Sequence, residues 1–180
     1  MTTKKTSQSS RKIYDRVSSK QHHDTIEGDK AHAFELVTQL GKSLSLKDFK
    51  DKMLVLYFYP KDDTSGCTLE GKEFNALLKD FEKQNCAVIG VSKDKLLSHK
   101  KFAEKYSFKF PLGADEDVSV CKKYGVYKEK SMYGKKSMGV ERTTFLIDPK
   151  GIVVKVWRKV NPKGHAQEVL ETVKKMQSKK

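Results

Sequence analysis

Met53-Leu-Val-Leu-Tyr-Phe-Tyr59-Pro60-Lys-Asp-Asp-Thr64-Ser-Gly-Cys67 is the stretch on which the fold turns. Its first seven residues are continuously apolar and rich in β-branched and aromatic side chains, and Pro60 closes them. That pattern predicts a strand buried on both faces. Beyond Pro60 the period changes. Cys67, Glu70, Phe74, Leu77, Leu78 and Phe81 recur at spacings of three and four, which predicts one helix from Gly66 to Lys83 with Cys67 in its first turn. Cys86-Ala-Val-Ile-Gly-Val91 is a second buried strand. After it, Leu96, His99, Phe102, Ala103 and Tyr106 share one helical face. Strand, helix, strand at this spacing forms a parallel unit with a right-handed crossover.

The second half has a different grammar. Thr143-Thr-Phe-Leu-Ile147 and Ile152-Val-Val-Lys-Val-Trp157 flank Asp148-Pro-Lys-Gly151, whose Pro and Gly mark a tight turn, so these strands form an antiparallel hairpin. A terminal helix follows, with Val169, Leu170, Val173 and Met176 as its buried stripe. A parallel βαβ half joined to an antiparallel ββα half is the thioredoxin arrangement. The expected architecture is therefore α/β, with a central mixed β-sheet flanked by helices.

Composition limits what such a domain does. The 180 residues include 37 Lys and Arg against 23 Asp and Glu, a formal net charge of +14. A single domain of this size buries roughly 70% of its unfolded surface and needs no covalent staples. Three cysteines, Cys67, Cys86 and Cys121, make a disulfide framework improbable and fit a reducing, cytoplasmic setting with one thiol kept for chemistry. The longest apolar run, Met53 to Tyr59, falls far short of the roughly 20 residues that span a membrane. Residues 1–26 carry six basic and two acidic side chains without periodicity and are expected to be a flexible basic arm. Their Ser-rich, acid-poor start also has a faint likeness to a transit peptide. Residues 27–180 are expected to form the domain.

A thiol in the first turn of a helix faces unsatisfied backbone N–H groups and the positive end of the macrodipole, and both favour the nucleophilic thiolate. Position alone leaves a second reading open, in which Cys67 is a small buried apolar residue. Likewise Thr64 alone is a helix cap or a turn residue, Arg142 a surface strand charge, and Pro60 a strand terminator.

Taken together and in order, Pro60, Thr64 and Cys67 reproduce the P-x-x-x-T-x-x-C motif of peroxiredoxins. The string FYPKDDTSGCTLEGKEF resembles the bacterioferritin-comigratory (PrxQ) branch of that family. The resemblance extends over residues 28–176, through GDKAHAFEL, YGVYKEKSMYGKKSMGVERTTFLIDPKG and WRKVNPKGHAQEVL. It implies the thioredoxin-type fold and a thiol-dependent peroxidase acting on hydrogen peroxide and alkyl hydroperoxides, without cofactor or metal. Cys67 would attack the O–O bond and become a sulfenic acid. Thr64 would aim its hydroxyl at the thiolate or the peroxide oxygen. Arg142 matches the family's active-site arginine, whose rigid fork of donors suits both sulfur and peroxide. Pro60 would shield the sulfur and shape the loop, and Glu70 would orient Arg142 or cap the helix.

The chain departs from the family's pattern in one respect. The two positions at which this branch carries a resolving cysteine are occupied by Lys72 and, on the following helix, Ala103. Cys86 sits in an apolar strand and is expected to be a buried small hydrophobe; the place of Cys121 is open. The expected mechanism uses one cysteine and an external thiol reductant, thioredoxin, glutaredoxin with glutathione, or a small thiol. The chain is expected to be a monomer or weak homodimer. Other classes fare worse. Cys67-Thr-Leu-Glu70 lacks the second cysteine of a dithiol oxidoreductase, and the cysteines have no zinc-type spacing to His22, His23, His32, His99 or His165. The charge leaves a nucleic-acid-associated protein with a secondary peroxidase site as the alternative, though lysines are interspersed with acids and no recognition motif appears.

Overall fold

A computed structural model describes residues 23–179. The expected arm therefore lies outside the described residues except for its last few positions. There, Asp24 pairs with Lys128, and Thr25 is buried, its carbonyl accepting a hydrogen bond from Arg158 at 3.0 Å. These residues are seated on the domain.

Strands β1 (Glu35–Thr38) and β2 (Ser43–Ser45) precede a 3-10 turn at Leu46–Phe49. Then follow β3 (Met53–Phe58), α1 (Ser65–Ala76), α2 (Leu78–Lys83), β4 (Cys86–Ser92), α3 (Leu96–Tyr106), β5 (Leu112–Ala114) and α4 (Ser119–Lys123). The chain ends with β6 (Tyr127–Met132), β7 (Lys135–Val140), β8 (Thr143–Ile147), β9 (Val153–Trp157) and α5 (His165–Ser178). Seven strands form one mixed sheet in the order β2-β1-β5-β4-β3-β8-β9, and β6 and β7 pair as a separate ribbon. The β3–β4 pair is parallel and β8–β9 antiparallel, as the two sequence patterns require.

Every residue of β3 is buried, yet the strand keeps its two-residue period. Met53, Val55, Tyr57 and Tyr59 face a core shared with Phe74, Phe81, Phe102, Val169 and Val173. Leu54, Leu56 and Phe58 face a second core with Ile89, Cys121, Tyr124 and Phe145. Helices cover both faces, which is why the strand reads as continuous rather than alternating apolar sequence.

The single helix expected over residues 66–83 is two. The chain breaks at Leu77, with φ −96° and ψ 2°, although neither Pro nor Gly stands there. Adjacent positions on a continuous helix point about 100° apart. Breaking it lets Leu77 and Leu78 both pack against the same core.

Candidate active site

Cys67 reaches its place through the β3–α1 connection. Tyr59 still donates its N–H to Val91 at 3.0 Å, but half-buried Pro60 has no N–H with which to extend the ladder, so the chain leaves the sheet. Thr64 is the N-cap of α1 in extended conformation. The first intrahelical bond runs from the Thr68 N–H to the Thr64 carbonyl at 2.8 Å, leaving the amides of residues 65–67 without an intrahelical acceptor. Cys67 lies among these amides, 2% exposed. The Thr64 hydroxyl donates to the Lys61 carbonyl at 2.8 Å. Its proton is thereby committed within the loop, and what it presents elsewhere is oxygen lone pairs.

Arg142 arrives from the far half of the sequence by strand register. Phe58 at the end of β3 pairs with Thr143 at the start of β8, so the residue before Thr143 emerges at the same sheet end as the Cys67 loop. Val160 fixes its backbone, donating to the Arg142 carbonyl at 3.0 Å. The guanidinium then bridges two groups on α1. Nη2 donates to Cys67 Sγ at 3.4 Å, and Nη1 donates to Glu70 Oε2 at 2.6 Å. Gly66 makes room for it, since a Cβ there would stand 3.0 Å from Arg142 Nη2.

Glu70 is fully buried, and its Oε1 has no hydrogen-bond partner among the described residues. Burial pushes its carboxyl up to about 7, against the opposing pull of the Arg142 charge. The sequence-based alternatives for Glu70 thus resolve by geometry: it holds Arg142 and lies too deep in α1 to cap it. Lys130 of β6 adds a second cation nearby, donating to the Val140 carbonyl at 2.6 Å. Burial, and then the Arg142 charge, hold its pKa below the usual lysine range.

The other two thiols are remote for different reasons. Cys86 opens β4 and pairs with Met53 at the start of β3, whereas Cys67 follows the end of that strand. Five residue steps separate the two strand ends, about 17 Å. Cys121 belongs to the core on the opposite face of the sheet from Cys67. Burial pushes the Cys86 thiol up to about 12, and burial followed by the Asp115 charge pushes Cys121 far above the ordinary thiol range. All three cysteines are unpaired. Lys72 is exposed on α1, and Ala103 is buried in α3. Among the described residues, no group of three or more His, Cys, Asp or Glu side chains is placed to hold a metal ion.

Sequence reasoning did not find the Gly66–Arg142 contact. Nor did it find a buried cluster around Asp62, whose neighbour Asp63 has a φ of 56°. The motif string contained Gly66 and Asp62, but nothing in it said what they meet.

The AhpC/TSA family model matches residues 27–156. The peroxiredoxin Bcp of Xanthomonas campestris is 48% identical over 80% of this chain and 91% of its own. That of Bacillus subtilis is 44% identical over 86% and 99%. A solved Xylella fastidiosa PrxQ cysteine mutant superposes with a TM-score of 0.81 at 44% identity, over 86% of this chain and 98% of its own. A trapped intermediate/ligand complex from a study of alkyl peroxide reduction by the Xanthomonas campestris bacterioferritin comigratory protein gives a TM-score of 0.78 at 43% identity, over 83% and 99%. Solved mutants of Xanthomonas campestris peroxiredoxin Q replace two cysteines separated as Cys67 is from Ala103 here. These likenesses support the thiol peroxidase and give the nucleic-acid alternative no support. The chain belongs to the AhpC/TSA family, in its Bcp (PrxQ) peroxiredoxin branch, whose chemistry takes a peroxide as substrate and a thiol as reductant.

Proposed function

We propose that Cys67 is the peroxidatic cysteine of a one-cysteine peroxidase, with Arg142, Thr64 and Pro60 completing its site. The observation that carries this is the Arg142 guanidinium, 3.4 Å from Sγ and anchored on buried Glu70. A fixed positive charge there stabilises the thiolate in the resting enzyme and the negative charge that spreads over sulfur and peroxide oxygens during attack. Thr64, its proton given to Lys61, accepts a hydrogen bond from the peroxide O–H and so orients the terminal oxygen toward sulfur. Pro60 shields one side of the sulfur.

The thiolate attacks that terminal oxygen, the O–O bond breaks, and the electron pair leaves on an alkoxide or hydroxide that takes a proton from solvent. Cys67 becomes a sulfenic acid. One external thiol condenses with it, forming an S–S bond and releasing water. A second thiol attacks the external sulfur, regenerating Cys67 and releasing the oxidised reductant as a disulfide. The reductant is thioredoxin, glutaredoxin with glutathione, or a small thiol. The enzyme works as a monomer or weak homodimer in a reducing, cytoplasmic-type compartment.

The test is peroxide consumption with each reductant, followed by intact mass. One equivalent of peroxide should add one oxygen to the wild type and none to Cys67→Ser. Retained turnover in Cys67→Ser would end this proposal.

A further inference from the structure

In the loop that leads to the catalytic thiol lies a buried polar cluster to which the motif assigns no work. Asp62, in the loop between β3 and α1, is 7% exposed. Its Oδ1 accepts from the Tyr59 hydroxyl at 2.6 Å, and its Oδ2 accepts from Ser98 Oγ at 2.8 Å. His99 Nδ1 lies 2.7 Å from the same Oδ2. His99 is fully buried, and its Nε2 lies 3.0 Å from the Gly113 carbonyl. A carbonyl only accepts, so Nε2 carries hydrogen, and a single proton joins Nδ1 to Oδ2. The Asp62 N–H donates to Asp94 Oδ2 at 2.9 Å, and that same oxygen accepts from Ser92 Oγ at 2.6 Å. Asp62 thus ties the loop directly to α3, to β5 through His99, and to β4 through Asp94 and Ser92.

The next residue repeats the arrangement at the surface. Asp63 has a φ of 56°, a backbone state that side chains rarely adopt. Lys105 at 2.8 Å and Tyr106 at 2.6 Å, both on α3, donate to its carboxylate. Such a conformation persists only where its surroundings over-determine it. Two consecutive loop residues are therefore clamped to α3, immediately before Thr64 and the start of α1. A core needing only stability would be served as well by apolar residues, because a buried polar pair seldom outdoes well-packed apolar side chains.

We propose that Asp62, held by His99, Tyr59 and Ser98, is a positioning residue for the peroxidase reaction. It fixes the Pro60–Thr64 loop in the geometry that presents peroxide to Cys67. The inference rests on the peroxidase function proposed above. Its reach is specific: it acts on the placement of Thr64 and Pro60 around the peroxide, while Arg142 is anchored separately, by Val160 and Glu70.

The experiment compares two reactions of Cys67 in the full-length protein, oxidation by hydrogen peroxide and alkylation by iodoacetamide. Alkylation needs the thiolate but no oriented peroxide, so a merely structural defect moves both rates together. Asp62→Asn and His99→Gln should slow peroxide oxidation about tenfold or more while alkylation changes less than about twofold. Tyr59→Phe keeps the ring and removes one donor, so it serves if the others fail to fold, and about a threefold selective loss is expected. Unchanged peroxide rates in folded variants, or parallel loss of both rates, would overturn the proposal. A wild type inert to peroxide would instead overturn the function on which it rests.

Discussion

Gly66 and Arg142 occupy adjoining space, with only 3.0 Å between the guanidinium Nη2 and the point where a Cβ on Gly66 would stand. Gly66 has no left-handed φ, so its conformation does not call for glycine; the guanidinium does. Arg142 cannot retreat without stretching its 2.6 Å contact to Glu70.

The expected result for Gly66→Ala is therefore a displaced Arg142 in a folded protein. A Cβ at 3.0 Å asks the guanidinium to give by a few tenths of an ångström, a fraction of the roughly 1 Å misplacement that costs about a hundredfold. Stopped-flow oxidation of Cys67 should slow by about twofold to tenfold while the thermal midpoint holds or rises, since alanine suits a helix better than glycine by up to roughly 1 kcal/mol.

Glu70 makes stability depend on pH in an unusual direction. Its carboxyl is raised from 4.5 to about 7 in the fold. Between those values the folded chain holds a proton that the unfolded chain has released. Stability therefore falls as pH rises across this window and levels off above about 7, with up to about 3 kcal/mol at stake. In Glu70→Gln that decline should disappear, as urea midpoints measured from pH 4.5 to 8 will report.

His165 tilts the curve the other way. Its Nε2 lies 2.8 Å from Thr144 Oγ1, and burial depresses its pKa from 6.5 to about 4. Between pH 4 and 6.5 the unfolded chain binds a proton that the folded chain refuses, so stability falls as pH falls, by up to about 3 kcal/mol. From pH 4.5 to 6.5 the two effects oppose each other. Glu70→Gln should thus expose acid lability, and His165→Gln should leave only the decline toward neutral pH. Parallel curves for wild type and both variants would contradict the assignment.

Cys86 and Cys121 should be dispensable to turnover. The double variant with Ser at both positions is expected to keep peroxidase rates with an external thiol within about twofold. Its melting temperature should drop, because each buried hydroxyl costs about 1–3 kcal/mol. Loss of turnover at unchanged stability would make one of them a resolving thiol.

The βαβ unit and the hairpin were legible because burial leaves a pattern, and residues 53–59, 86–91, 143–147 and 152–157 carry it, with the Asp148–Gly151 turn between the last two. The break at Leu77 was not, since it answers to two leucines competing for one core. The motif located Cys67, Thr64 and Pro60 because they are close in sequence. Arg142 needed the family likeness, since only strand register brings it to the sulfur. The Asp62–His99 pair left no signal, because an aspartate in a loop and a histidine on a helix each have ordinary explanations, and their 2.7 Å contact exists only after folding.

The sheet that divides Cys121 from Cys67, and the strand length that divides Cys86 from it, also set a clock. In the one-cysteine cycle proposed above, with neither Cys86 nor Cys121 near Cys67, the sulfenic acid lasts as long as the wait for a reductant molecule. During that wait a second peroxide competes to drive the sulfur irreversibly to sulfinic acid. The ratio of free thiol to peroxide therefore decides how many cycles each molecule completes before it is spent. Survival under oxidant is written in the reductant supply around the enzyme.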